Sequence, residues 1–535
     1  MPLAKKTIIL ISVLLIITSS FSGCILDDWF GGTSFSLSSW NITDDEGFPS
    51  IQFSYTCSDR VTVKLYDPNN NEVDDDFFLR GPGQVNISLG SYREIISVGN
   101  YKLKVKDKGN EQIYSKTFKF VESDASILSC SQKWWTNGDT EMLIGLTMSV
   151  ENNGDMPIYP YSVEADFSAE SVSGYVLPCA ILPGETKSID CSIYKNGAPL
   201  DNTFTVILKD KDENIIDTLS CSADIRGTVA TRTFAEGVES ILRVPYPEFL
   251  HDYYKSLERA QHEDYSYYIF DPYDDPYIDA LVDCLILTLP FGQITYNAKS
   301  EVEKVDFIVS FVQNIAYEKD SNSDEAVEYP NYPIETLFNG SGKGDCEDKA
   351  ILTAGLLDNI GFESALFRLP NHMAAGVKLE TSLQNFDYYN DSYYFVETTT
   401  PGNPVGFVPN SYKTPSELTV YTISDRELLL HHWKGNTLTI YTNTDIGDFV
   451  KVKMIVSNMG RKTANNILVK GVFTTFYGYK IKVEETTISS LKSGMKAEAM
   501  LKVNIPKSAL TNFKTEIYLD GVLMDEKESA STFPT

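Results

Sequence analysis

Histidine is scarce in this chain. Only five stand among 535 residues, at 251, 262, 372, 431 and 432, and no cysteine–histidine set has the spacing of a zinc site. P-loop and dinucleotide-binding glycine motifs are missing as well, so no cofactor is expected. Positive charge is the minority sign, with 45 Lys and Arg against 74 Asp and Glu. The resulting net charge of -29 opposes the phosphates of nucleic acid and excludes it as a partner. Beyond the first residues, no apolar run reaches the ~20 residues that a membrane-spanning helix requires.

Aromatic residues, in contrast, are abundant. The 31 Tyr and 28 Phe supply material for several cores in a chain long enough for three to five domains. The N-terminus has the order of an export signal. Lys5 and Lys6 precede the apolar run Ile8–Ile17, and Ser22-Gly23-Cys24 follows. Residues 1–24 are therefore expected to direct the chain out of the cell. Ser22-Gly23-Cys24 resembles the box at which lipoproteins are cut and lipidated, which makes Cys24 the candidate lipid site. Residues 25–34 then form a spacer. Export also favours disulfides. Cys179 and Cys191 flank Leu182-Pro183-Gly184-Glu185 like facing residues of a hairpin, and Cys130 and Cys221 could join the first and last strands of the same unit. Small buried thiols are the alternative.

Alternating strands and turn clusters fill 35–122, 125–226 and 436–530. Val61–Tyr66 and Tyr101–Val105 alternate in the first of these. In the second, an apolar strand leads into Asn152-Asn153-Gly154 and is followed by the Leu182–Glu185 turn. The third repeats the scheme with Asn458-Met459-Gly460 and Leu491-Lys492-Ser493-Gly494. This pattern resembles the immunoglobulin-like, CARDB-like modules of cell surfaces, and implies β-sandwiches. Asp67–Asp76 and Asp271–Asp275 are rich in carboxylates but lack the glycine and distal glutamate of an EF-hand loop, so they read as solvated turns.

Residues 230–430 are of mixed character. Helices are expected over 247–260 and 275–288. Ser300-Glu301-Val302-Glu303 is a capping box that starts a helix expected to end near Tyr317. Three glycines, Gly340, Gly342 and Gly344, precede Cys346, which opens an apolar helix to about Asn359. Unpaired N–H groups at such a helix start favour thiolate, and Asp348 suits the same turn as structural support. His372 lies 26 residues after Cys346, on the second strand that follows, and Glu397 lies 25 residues further on, in the third. Antiparallel pairing would set His372 and Glu397 side by side. A thiol, an imidazole and a carboxylate in this order make a candidate activated nucleophile.

Gly344-Asp345-Cys346-Glu347-Asp348, His372 and Glu397-Thr398-Thr399 resemble the motifs of the transglutaminase-like superfamily. The preceding Tyr332–Leu337 is similar to its prokaryotic members. The resemblance implies an α+β papain/transglutaminase-like core over 230–430, flanked on both sides by all-β immunoglobulin-like sandwiches. It also implies a Cys346-His372-Glu397 triad that attacks amides through a thioester, with the Cys346 N–H and Gln313 as candidate oxyanion donors. Glu397 stands where the family has aspartate, and Met373-Ala374 where many members have tryptophan beside an amine tunnel. The second departure favours hydrolysis over cross-linking. The expected protein is an exported, membrane-tethered cysteine peptidase or amidase acting on surface protein or wall peptide. Amine transfer, or a surface scaffold with an inert core, is the alternative.

Overall fold

The computed structural model describes residues 32–78, 80–137, 140–197, 203–223, 231–236, 240–259, 262–287, 300–320, 329–338, 342–436, 438–441, 447–475, 477–507 and 510–530. The export segment, Cys24, most of the spacer and Gly340 lie outside the described residues.

The alternation in Val61–Tyr66 buries Val61, Val63 and Leu65 on one face. That strand belongs to a four-stranded sheet, which shares a core with the three-stranded sheet of Phe35–Asp45, Phe48–Cys57 and Gly81–Ser88. Residues 125–222 form one seven-stranded antiparallel sheet, with Ala125–Asn137 and Ile215–Ser222 as its two ends. This sheet curls until its ends meet, and the Ile127 N–H donates to Asp217 at 2.7 Å. Near the C-terminus two four-stranded sheets enclose another core, from Leu429 to Ile517.

Among the described residues there is no clear α+β papain-like core, contrary to the expected fold class. Thirty strands and six α-helices among the described residues make the molecule predominantly β. The helices between 248 and 359 do not close a core of their own. Their apolar cluster continues into Trp135, Met142 and Ile144 of the seven-stranded sheet on one side, and into Leu428 and Leu430 on the other. The helical pattern alone could not show which surface these helices cover.

Two local expectations also change. The capping-box helix, Glu301–Gln313, stops four residues early, because Asn314 caps it and Ala316–Tyr317 pairs in parallel with Lys343–Gly344. The cysteines described are all free thiols. Cys191 pairs across the sheet with Val176, and Cys179 falls beyond the end of that strand, so the two do not face each other as the hairpin argument required. Cys130 and Cys221 do come together, thiol against thiol.

The carboxylates of 67–76 have protein partners. Asp67 accepts the Asn71 N–H at 2.7 Å, and Asp74 lies 3.3 Å from the Lys453 ammonium. Lys434 bridges Asp45 and Glu498 at 2.7 Å each. The first β-unit thus leans on the last through charges with little exposure.

Candidate active site

Cys346 occupies the first position of the helix Cys346–Asn359, whose N-cap is Asp345. Three features hold this turn. Gly344 passes so close to Asp348 that a Cβ there would lie 2.6 Å from the Asp348 Cβ. The Asp348 carboxylate accepts the Asp345 N–H at 3.3 Å, the Asn331 N–H at 2.8 Å and the Asn331 side-chain amide at 2.6 Å. Lys349, with no exposed surface, donates to the Gln313 and Ile315 carbonyls at 3.1 and 2.8 Å. These contacts staple the start of the cysteine helix to the end of Glu301–Gln313. Burial lowers the Lys349 pKa to about 8, against the pull of the Glu397 charge.

His372 begins the strand His372–Val377, paired with Ser364–Leu369 on one side and Tyr394–Val396 on the other. Val396 pairs with Ala375. Continuing that register sets Glu397 beside Ala374, two residues from His372 and on the same face. The two side chains are therefore diagonal neighbours rather than abreast, a separation that long side chains span. The longer glutamate makes the reach: its Oε2 lies 3.4 Å from His372 Nε2. The contact is close but is not an aligned hydrogen bond, since Nε2 has no partner in hydrogen-bond geometry.

Glu397 is 2 % exposed. Burial pushes its pKa up, but His372 and the Thr399 hydroxyl and N–H, at 2.5 and 2.8 Å, outweigh that and lower it to about 2. The acid is ionised at any physiological pH.

The sulfur of Cys346 meets the same strand, where the Met373 N–H points at it and favours its charged form. Cys346, His372 and Glu397 thus converge from a helix, a strand start and a strand end. The thiol is not activated by this geometry alone. Burial raises its pKa well above the ordinary value, and the Glu347 carboxylate, 3.1 Å from Sγ, raises it further. The thiolate expected from the helix start is overridden.

Gln313 is not an oxyanion donor. Its amide donates to the Glu397 and Asn403 carbonyls at 2.8 and 2.9 Å and accepts the Gly402 N–H at 2.9 Å. Its work is to anchor the turn behind Glu397. One neighbour of His372 has no mark in the sequence. Tyr412, in the short turn Asn410–Tyr412, stacks on the His372 ring with centroids 4.5 Å apart and planes 12° apart. A lone tyrosine in a loop carries no periodicity that would mark it.

Asp345, Cys346 and Glu347 bring donor atoms within 4.8 Å of one another. Asp345 caps the helix and Glu347 holds the thiol, so no metal centre is assigned to them.

No family model matches the chain, and no curated protein matches it. Solved structures similar over most of its length include an exo-chitosanase of Amycolatopsis orientalis, with 8 % identity over 90 % of this chain and 76 % of that one, at a TM-score of 0.14. A β-glucuronidase of glycoside hydrolase family 2 has 8 % identity over 92 % and 75 %, at 0.17. The red sea bream transglutaminase has 9 % identity over 91 % and 80 %, at 0.17. All three are enzymes by name, but likeness this distant carries no argument about activity. Among the described residues, no helix is long and apolar enough to cross a membrane.

Proposed function

We propose that the protein is a cysteine hydrolase acting on peptide or isopeptide amides, with Cys346 as nucleophile, His372 as general base and acid, and Glu397 as its carboxylate. The observation that carries this reading is the approach of His372 Nε2 to a buried, ionised Glu397, on a strand whose next N–H, that of Met373, favours the charged form of the Cys346 sulfur. With Nε2 turned to Glu397, Nδ1 is the ring nitrogen left to take the thiol proton. The sulfur then attacks the amide carbonyl, and the Cys346 N–H, at the helix start, supports the oxyanion. The C–N bond breaks as imidazolium protonates the leaving amine. Water, losing its proton to His372, hydrolyses the thioester to the carboxylic acid and restores the thiol. Tyr412 covers one face of the imidazole and limits its rotation. The export signal and Cys24 suggest that this chemistry takes place on the outer face of a membrane, on surface protein or wall peptide. The motif resemblance to transglutaminase-like enzymes supports the same chemistry.

p-Nitrophenyl acetate supplies an acyl donor that needs no knowledge of the substrate. Wild type should release one equivalent of p-nitrophenol, slowly at neutral pH and faster as pH rises because its buried thiol rests protonated, with the acetyl group found on Cys346 by mass spectrometry. His372→Ala should slow acylation about 100-fold or more, and Cys346→Ala should abolish it. Release that is unchanged in Cys346→Ala would sink the reading. Glycine ethyl ester added to the wild type separates transfer from hydrolysis by its appearance in product.

A further inference from the structure

From the contact between Glu347 and Cys346 we infer that Glu347 is the residue that keeps the resting nucleophile protonated, so that the site is latent until its carboxylate is neutralised or turned aside. The inference rests on the proposed role of Cys346 and adds a control to it. Glu347 Oε2 lies 3.1 Å from Sγ, close for a sulfur donor, and accepts the S–H. Glu347 is 8 % exposed, so water screens its charge weakly. A carboxylate so placed holds the thiol proton by hydrogen bond and opposes the negative sulfur by charge.

The other groups around the sulfur divide. On its own helix, Asp345 adds negative charge, while Lys349, a turn away, is directed to the Gln313 and Ile315 carbonyls. Asp348 is engaged with Asn331. From the neighbouring sheet, the Met373 N–H favours thiolate, and His372 stands beside it with Glu397 behind. Tyr317, from the segment after Glu301–Gln313, and Tyr412, from the short turn over His372, both feel the sulfur's charge; neither supplies a cation. In the proposed reaction His372 takes the thiol proton, and at rest Glu347 holds it instead. The direction of the Cys346 pKa agrees, since the carboxylate is the largest contribution after burial.

Two consequences follow. A resting thiol resists oxidation and alkylation, which suits a nucleophile exposed to an oxidising exterior. Turning that one side chain aside removes the part of the obstacle that burial does not impose.

The test is alkylation of Cys346 by iodoacetamide across pH 5–11, followed by mass spectrometry of the Cys346 peptide. In this reaction a C–S bond forms, iodide leaves, and the thiol proton goes to solvent. Wild type should label slowly until strongly alkaline pH. Glu347→Gln should move the labelling midpoint down by at least one pH unit, about 10-fold faster at pH 7.5. The double variant Glu347→Gln/His372→Ala should lose that gain, because an unfolded or loosened site would label fast with or without the histidine. A midpoint in Glu347→Gln equal to or above the wild type overturns the inference, and so does a gain that survives removal of His372. If Glu347→Gln is silent while His372→Ala still slows acylation by p-nitrophenyl acetate, only the role of Glu347 fails. If acylation ignores both Cys346 and His372, the proposed function itself fails.

Discussion

Glu397→Gln should lower acyl turnover about 10³-fold or more while leaving Cys346 in place. Glutamine keeps the size of the side chain and one oxygen for the Thr399 N–H. It removes the charge that stabilises imidazolium, and its amide nitrogen can present N–H where His372 Nε2 needs an acceptor. Loss of the orienting carboxylate in a triad of this type costs about four orders of magnitude. The same substitution should alter acid stability, and its sign is fixed. The folded pKa of Glu397 is about 2, below its ordinary 4.5. The ionised group therefore stabilises the fold fully above pH 4.5, by roughly 3 kcal/mol, and that contribution is lost as pH falls toward 2. The variant should lack this limb of the pH–stability curve. Acylation rates at pH 7.5 and urea midpoints between pH 2 and 6 check both parts. Turnover equal to wild type would remove Glu397 from the mechanism.

The parts of the site that were legible in the sequence are those written in periodicity and turn chemistry. The cysteine helix runs from Cys346 to Asn359, where apolar spacing and the glycine after it place its ends. The strand beginning at His372 follows from the break at Pro370-Asn371, and Asn371 takes the positive φ of 56° that such a tight turn uses. The Asn-x-Gly repeat has one physical basis in both copies. Asn152 reaches the Met156 and Ile181 carbonyls, Asn458 reaches those of Lys462 and Leu491, and each asparagine accepts the glycine N–H two residues on. A Cβ on Gly154 or Gly460 would strike the backbone of the chain entering that unit, at 2.7 and 2.3 Å respectively.

What depends on packing was not legible. Helical spacing in 275–287 marks an apolar face but not the strands that cover it, which are Thr186–Asn196 and, beside it, the strand carrying Met142 and Ile144. Glu347 reads in sequence as one more acid on an acidic chain, and only the first-turn geometry puts it against the sulfur. The helix start favours thiolate at Cys346, but burial and a neighbouring carboxylate, which no residue spacing reveals, outweigh it. Gln313 sits on the same helix either way. Whether its amide faces substrate or the turn behind Glu397 is decided by that turn, more than 80 residues later.

Asp348→Ala should be the most destabilising single substitution near the site, because one carboxylate satisfies three donors there. Without it the Asn331 N–H, the Asn331 amide and the Asp345 N–H lose their acceptor in a region closed to water. Each buried unsatisfied donor costs about 1–3 kcal/mol, so a loss of about 3–5 kcal/mol is expected after relaxation. Asp348→Asn should recover only part of it, since an amide offers one acceptor oxygen and turns N–H groups toward donors. The pH dependence has the opposite sign to that of Glu397. Burial, followed by the charge of Asp345, raises the Asp348 pKa to about 7, above its ordinary 3.8. The folded state therefore holds this proton more tightly than the unfolded chain, and the residue's contribution declines as pH rises from 3.8 to about 7. The deficit of Asp348→Ala in urea midpoint should accordingly be larger at pH 5 than at pH 8. Because Gly344 packs on Asp348 and Asp345 precedes the nucleophile, acylation of Cys346 should fall with stability while the His372–Glu397 pair stays intact. A variant with the wild-type midpoint at both pH values would show that the turn carrying Cys346 is held by Lys349 and the strand pairing of Lys343–Gly344 instead.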